Sequence, residues 1–314
     1  MPCDNGSQEI PQDDSIAFLT IDGLTFGYTV ENNLDGLDLR ANKGEFIGLL
    51  GPNGSGKTTL MRCINKVLKI REGTVFLDGE DMGDKTRKEM SKLCTTVPAD
   101  IPTDFSLSTR EFVTLGRAPY VTGMFWETDE DLEIVDRAMY DFGIAQYADR
   151  RLHELSSGER ARALLAKGVV QHPKLMMVDE PSAHLDIKYK IQVMEMLKGL
   201  ARSGLTVIMA SHDLNLVTRY CDKVMLLHDG KIIDYGPCDK VVTEQSIREV
   251  FDISIKIVWD NGVPYIIPRP PVDDDSDLFS IEYDDFSGAR PARARNRMCG
   301  RGNQTYSPDP GRCP

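Results

Sequence analysis

Short apolar runs alternate with amphipathic, helix-periodic segments along most of this chain. Between residues 16 and 40, alternating stretches such as Ile16-Ala17-Phe18-Leu19-Thr20-Ile21 predict strands of an antiparallel edge sheet. Residues 45–50 read as a short buried strand and 58–69 as a helix. A further strand at 74–77 precedes the turn Asp78-Gly79, and 83–98 read as a helix followed by the strand Cys94-Thr95-Thr96-Val97. Between about 99 and 155 helical periodicity takes over, at 110–116 and 130–142, broken by Gly123 and Gly143. This predicts a helical insertion in an α/β core. The core resumes with a helix at 158–171, a strand at 175–178, a helix at 187–202 and a strand at 205–209. Strands alternating with covering helices imply a mostly parallel sheet.

Past Val250 the segments 254–259 and 263–267 predict a small hairpin turning at Asp260-Asn261-Gly262. From about 271 the pattern dissolves. Asp273, Asp274, Asp275, Asp277, Glu282, Asp284 and Asp285 give way to arginines at 290, 293, 295, 297, 301 and 312. Such a composition buries too little apolar surface to order itself. The chain thus divides into a flexible N-terminus at 1–15, a main domain at 16–250 with its helical subdomain at about 99–157, a small β extension at 251–270 and a disordered tail at 271–314.

At 314 residues the chain is long enough to bury a substantial core. Its 37 basic and 49 acidic residues give a net charge of −12, which argues against a sequence-independent grip on nucleic acid. Seven cysteines, an odd count without C-x-x-C spacing, read as free thiols in a reducing compartment. The N-terminus is acidic and polar with no secretory apolar stretch behind it, and no eighteen apolar residues follow one another. The expectation is a cytosolic chain, soluble by itself.

Candidate chemistry centres on Gly51-Pro52-Asn53-Gly54-Ser55-Gly56-Lys57-Thr58-Thr59, which fits the phosphate-loop pattern between a predicted strand and a predicted helix. Glycines at 51, 54 and 56 let the backbone turn tightly, so that successive N–H groups face phosphate oxygens. The helix N-terminus adds partial positive charge, Lys57 a full one, and the Thr58 hydroxyl a ligand for Mg²⁺. A nucleoside triphosphate is the expected ligand, against a glycine-rich turn that binds nothing. Downstream, the apolar run 175–178 ends in Asp179 and Glu180. A buried strand delivering Asp179 beside the phosphate loop suits Mg²⁺ held through its water shell. Glu180, one residue on, suits a general base for the attacking water. The bland alternative is a solvated strand end.

Leu155-Ser156-Ser157-Gly158-Glu159-Arg160 stands just before a helix and, alone, would be an N-capped helix start. With the motifs above it resembles the LSGGE signature of ATP-binding cassette (ABC) ATPases. The resemblance covers about residues 16–250. It implies a P-loop NTPase of ABC ATPase type: a mostly parallel core sheet with an antiparallel β edge subdomain and a helical subdomain. It further implies that Ser156, Ser157, Gly158 and Glu159 of one subunit meet the γ-phosphate held by another. Pro181-Ser182-Ala183-His184-Leu185-Asp186 resembles the loop that crosses the dimer interface, with Asp186 at the nucleotide. Ala210-Ser211-His212-Asp213 resembles the switch-histidine loop, with His212 on the γ-phosphate, and Tyr28 matches the aromatic that stacks on adenine; the alternative for Tyr28 is core packing. The implied activity is hydrolysis of Mg-ATP by a homodimer closed in its ATP-bound state.

Finer strings resemble the importer group for iron–siderophore, haem and cobalamin complexes: Leu115-Gly116-Arg117-Ala118-Pro119-Tyr120, 182–186, Ser211-His212-Asp213-Leu214-Asn215 and 220–230. By that resemblance the chain sits peripherally on the inner face of the cell membrane, beneath integral permease subunits, and works indirectly with an extracytoplasmic binding protein. The alternatives are a soluble ATPase of a cytosolic assembly system such as iron–sulfur cluster biogenesis, an exporter's detached subunit, and a weakly hydrolysing regulatory scaffold. Two departures stand out. Ala99-Asp100 follows Val97-Pro98 where the family has glutamine, and Ser157 replaces the first signature glycine. The first predicts slower or less tightly coupled hydrolysis; the second is a tolerable change at a helix start.

Overall fold

The computed structural model describes residues 17–99, 106–121, 128–183, 185–260 and 262–269. The expected flexible terminus at 1–15, Gly123, Asp100 and the expected disordered tail lie outside them.

Strands β1 (Leu19–Phe26) and β2 (Leu34–Ala41) pair antiparallel, pairing Leu19 with Ala41 and Ile21 with Leu39. The fully buried β3 (Phe46–Leu50) leads into α1 (Lys57–Ile64). Strand β4 (Glu72–Leu77) pairs with the other side of β1 and turns into β5 (Glu80–Asp81). That turn places Asp78 at φ 55° and Gly79 at φ 79°, the mirror-image turn that Asp-Gly favours in tight hairpins. The antiparallel sheet has the order β2-β1-β4-β5.

Helix α2 (Arg87–Leu93) opens with a capping box between Thr86 and Glu89 and runs directly into β6 (Cys94–Val97). The helical insertion contains α3 (Thr109–Thr114), a 3₁₀ turn over Leu115–Tyr120 and α4 (Asp129–Asp141). Both helices begin with capping boxes, Ser108 with Glu111 and Thr128 with Asp131, which is why polar residues mark their starts so clearly. The core returns with α5 (Ser157–Val170), β7 (Leu175–Asp179), α6 (Ile187–Arg202) and β8 (Thr206–Ser211). Beyond these come α7 (Leu214–Tyr220), β9 (Lys223–His228), β10 (Lys231–Pro237), α8 (Cys238–Val241) and α9 (Glu244–Phe251). The hairpin β11 (Ile255–Asp260) and β12 (Val263–Pro268) follows.

The second sheet has the order β10-β9-β3-β8-β7-β6. All its neighbours pair parallel except β10, which returns antiparallel beside β9. Its central strands are buried on both faces, as parallel strands covered on two sides must be. The alternation is explicit. Phe46 and Leu50 of β3, with Met176 and Val178 of β7, join the core formed with α5, α6 and the helical insertion. Ile47, Leu49, Leu175 and Met177 point the other way, into the core shared with α1 and the antiparallel sheet. Both cores converge on the ends of β3, β7 and β8, which fixes the ground on which the polar residues below stand.

The expected α/β class with a parallel-dominated sheet, an antiparallel edge sheet and a helical insertion is what the chain adopts. One expectation needs correction. The helix expected over 58–69 ends at Ile64, because Lys66 adopts φ 60° and its ammonium donates to the Gly83 and Lys85 carbonyls, the latter at 2.6 Å. That tie turns the chain away from the helix axis. Strands β9 and β10 and helices α7–α9 were not anticipated; β9 is an unbroken apolar run whose period alone does not separate strand from helix. The terminal hairpin is stitched to α7 by Asn215, which accepts from the Ile266 N–H at 2.7 Å and donates to its carbonyl at 3.1 Å. Among the described residues no helix is long and apolar enough to cross a membrane.

Candidate functional site

The loop between β3 and α1 wraps its backbone around a space at the carboxyl ends of the parallel strands, where ligands of open α/β sheets gather. Gly54 and Gly56 take φ of 84° and 107°, a backbone region that L side chains avoid. At Gly51 an added Cβ would meet Ser55 Oγ at 2.6 Å and crowd the Leu227 carbonyl, so the loop closes only because glycine stands there. Pro52 accepts from the Ser55 N–H at 3.2 Å, holding the turn. Asn53 and Gly54 are exposed at its tip, and Thr59, the third residue of α1, is half-buried. Ser55 Oγ is buried with no hydrogen-bond partner, which leaves a donor and acceptor open inside the loop.

Lys57 is buried and donates to the Gly51 carbonyl at 2.7 Å and the Pro52 carbonyl at 3.0 Å. An ammonium has three N–H donors, so one remains. Burial pushes its pKa down, while the charges of Glu180 and Asp179 pull it back up. Thr58 Oγ1 donates to Asp179 Oδ2 at 2.9 Å, across 121 residues of sequence. A hydroxyl and a carboxylate meeting there form a hard oxygen donor set suited to Mg²⁺ completed by phosphate oxygens and water. No cluster of three or more His, Cys, Asp or Glu side chains poised for a metal occurs among the described residues, and such a Mg²⁺ site needs none.

Glu180 is the first residue past β7 and adopts φ 48°, a left-handed conformation for a side chain with a Cβ. Its N–H donates to the Ala210 carbonyl at 3.0 Å, and its carbonyl accepts from Ala183, so neighbouring β8 holds the strained residue in place. His212 Nδ1 stands 2.6 Å from Glu180 Oε2. The two atoms pair by proximity without hydrogen-bond alignment, and Oε2 is buried with no hydrogen-bonded partner. A carboxylate beside the phosphate loop, with an imidazole against one of its oxygens, can accept a proton from a water placed there.

Tyr28 is 58% exposed, and its ring meets Phe26 edge-on at 4.9 Å between centroids. The core-packing alternative therefore does not hold: one face of the ring has no core to join. Its N–H is fixed by Asn33 Oδ1 at 2.9 Å, a partner five residues on that no pattern in the chain marks.

Ser156 caps α5, accepting from the Glu159 N–H, while Glu159 Oε2 accepts from the Ser156 N–H at 2.8 Å. The Glu159 carboxyl is thus occupied in its own capping box. Burial raises its pKa, but hydrogen bonds from Ser156 and Tyr147 and the charge of Arg162 outweigh this and hold it low. Ser156 and Ser157 are exposed, whereas Gly158 is buried against Tyr189. Asp186 caps α6 with no side-chain bond and is exposed. The site residues therefore fall into two groups. Lys57, Thr58, Asp179, Glu180 and His212 converge; Ser156, Ser157 and Asp186 present outward from helix starts. Ala99 is exposed beyond β6 and carries no polar atom into the first group.

Comparison with known proteins accords with this geometry. The profile of the ABC transporter family matches residues 34–183. A cobalamin import ATP-binding protein, BtuD of Halobacterium salinarum, is 36% identical over 80% of this chain and 64% of its own length. A hemin import ATP-binding protein, HmuV of Bradyrhizobium diazoefficiens, is 34% identical over 75% of this chain and 89% of its own. Among solved structures, CbiO1 of Clostridium perfringens, part of the ABC transporter complex CbiONQ, superposes with a TM-score of 0.65 at 30% identity, covering 74% of this chain and 93% of that one. The chain spans 58–64% of the length of the curated relatives it matches at 36% identity.

Proposed function

Since the chain belongs to the ABC transporter family of ATP-binding proteins, we propose that it binds and hydrolyses Mg-ATP to energise import through a separate membrane permease. The observation that carries this reading is the convergence of Lys57, the Thr58–Asp179 pair and the Glu180–His212 pair at one end of the parallel sheet.

The phosphate loop from Gly51 to Thr59 holds the triphosphate, with the free donor of Lys57 on its terminal oxygens. Tyr28 stacks on the base; such stacking contributes about 1–3 kcal/mol in nucleic-acid complexes. Thr58 and Asp179 would hold Mg²⁺, which would supply positive charge against the phosphoryl oxygens. Glu180 accepts the proton of the attacking water, and His212 keeps that carboxylate oriented toward it. Catalysis is positioning and charge neutralisation, with no covalent bond to the protein. Because Ser156, Ser157 and Asp186 face outward, they complete a second copy's site, with Gly158 behind them in the same helix start, giving a homodimer that closes on two ATP. The N-terminus of α5 is then an anion-binding helix end used in trans. The chain works at the cytoplasmic face of the membrane, and its cargo is an iron complex, haem or cobalamin delivered to the permease by an extracytoplasmic binding protein.

Affinity purification of the chain from detergent-solubilised native membranes, with its partners identified by mass spectrometry, tests the transport reading. A polytopic permease is the expected partner; soluble partners alone would overturn the importer and leave the ATPase chemistry standing.

A further inference from the structure

The string Gly116-Arg117-Ala118-Pro119-Tyr120 does not reach the nucleotide site, yet three of its residues converge on the far end of α5, the helix that begins with Ser156 as its cap. Gly116 packs so closely against the Lys167 carbonyl and Val170 that a Cβ would meet Val170 Cγ2 at 2.5 Å. Arg117 Nη1 donates to the Val170 carbonyl at 2.7 Å, and Tyr120 Oη donates to the Gln171 carbonyl at 3.0 Å. Helices leave their last carbonyls without internal partners, so these two side chains act as a tailored C-cap.

The cap is anchored on both sides. Arg117 is 7% exposed, and its Nε donates to Asp131 Oδ1 at 2.7 Å. Asp131 is itself held by the Thr128 N–H at 3.1 Å and hydroxyl at 2.9 Å, at the start of α4. The guanidinium lies 4.1 Å from the Tyr120 ring centroid, with the Lys92 ammonium 5.2 Å from it. From Gln171 the chain of contacts continues into the sheet. Its amide donates to the Cys94 carbonyl at 2.8 Å and to Ser91, and its Oε1 accepts from the Thr95 hydroxyl at 3.0 Å. Arg117 therefore joins α4 to the end of α5 through buried, directional bonds, and Tyr120 and Gln171 carry the contact on to the β6 edge of the parallel sheet through part-buried ones.

We propose that Arg117 is a positioning residue for the trans half of the ATP site: it sets the tilt of α5 and so the place of Ser156 against the nucleotide of a second copy. The inference rests on the proposed ATP-driven dimer. Helix α5 has 14 residues and, at about 1.5 Å per residue, is about 21 Å long. A tilt of about 10° at the capped end therefore moves its other end by about 4 Å, more than the tolerance of a productive phosphate contact. The buried guanidinium of Arg117 resists that tilt more firmly than an exposed ion pair, because two of its N–H groups hold two different elements, Asp131 of α4 and the Val170 carbonyl of α5, away from water.

The test compares the native chain with Arg117→Gln and with the milder Tyr120→Phe, which removes only one hydrogen bond and keeps the ring. Four quantities are read: nucleotide affinity of the dilute monomer, ATP-dependent dimerisation in a Glu180→Gln background, kcat with Glu180 in place, and amide hydrogen exchange at residues 156–160. With Arg117→Gln, monomer affinity stays within about twofold while dimerisation weakens and kcat falls by about tenfold, a split that general destabilisation does not produce. Exchange at 156–160 quickens in the same variant, and Tyr120→Phe moves each readout in the same direction by a smaller factor. Arg117→Lys, keeping the charge but not the fork, restores only part of the loss. Unchanged exchange and dimerisation in folded Arg117→Gln, or an equal loss of monomer affinity, would overturn the proposal. If Arg117→Gln does not fold, Tyr120→Phe alone decides it by the same readouts. If the native chain does not dimerise on ATP, the dimer reading fails instead, and the exchange at 156–160 still judges the link between Arg117 and the start of α5.

Discussion

The ring of Tyr189 occupies the space that any side chain at position 158 would need: a Cβ on Gly158 would lie 2.5 Å from Tyr189 Cδ1. Tyr189 sits in the first turn of α6 and Gly158 in the first turn of α5. The two outward-facing segments of the site, one headed by Ser156 and the other by Asp186, are therefore packed against each other.

Gly158→Ala is expected to destabilise the fold by about 1–3 kcal/mol, the usual cost of forcing an extra methyl into a packed contact. Urea denaturation measures it. Tyr189→Ala in the same chain should recover part of that loss, because the clash is then relieved; a purely additive double variant would mean that the contact is not the cause. Ser157→Gly at the neighbouring exposed position should change stability by less than about 1 kcal/mol.

Replacing Glu180 by Gln removes the proposed proton acceptor and keeps the side chain's size. Steady-state turnover should fall by about 10²–10⁴-fold, the range of a lost general base. Nucleotide binding should persist, and size-exclusion chromatography should show an ATP-dependent dimer. A normal turnover rate would remove Glu180 from the role of base.

Ala99 lies exposed just after β6, where a methyl group can neither ligate a metal nor donate a hydrogen bond. Ala99→Gln is expected to raise the turnover rate, or to tighten its dependence on the permease when both are reconstituted in vesicles. Equal ATPase rates and equal uptake in the two chains would show that the position is idle.

The Arg117–Asp131 pair gives stability a pH dependence. Burial raises the Asp131 pKa, but hydrogen bonds from Arg117 and Thr128 and the charge of Arg117 outweigh it and hold the carboxyl below its usual range. A depressed folded-state pKa stabilises the fold above the unfolded value of about 3.9 and loses that contribution as pH falls through the folded value. The stability gap between native chain and Asp131→Asn, read by thermal melts, should therefore be constant near neutrality. It should narrow only below about pH 4. A gap that narrows between pH 8 and 6 would point to another group.

Much of the site is legible in the chain because its signals are local. The phosphate loop needs glycines at fixed spacing between one strand and one helix, and capping boxes place a polar residue three positions before its partner. The end of helix α1 was less legible, because a side-chain tie from Lys66 to the carbonyls of Gly83 and Lys85 decides it. Strand β9 is illegible because a buried apolar run carries no period of its own, and β10 because an exposed edge strand with Asp234, Gly236 and Pro237 shows no clean alternation.

The sequence by itself determined which residues carry the chemistry and in what order they come, since turn geometry, helix starts and buried strands are written over a few contiguous positions. Only the tertiary structure decided which of them touch. Thr58 meets Asp179 because β3 and β7 flank β8, and Glu180 meets His212 because β7 and β8 are neighbours in register. Arg117 reaches the Val170 carbonyl, 53 residues away, because Gly116 lets the backbone close on α5. Contacts of that kind depend on strand order and close packing of the whole core, and no stretch of sequence contains them.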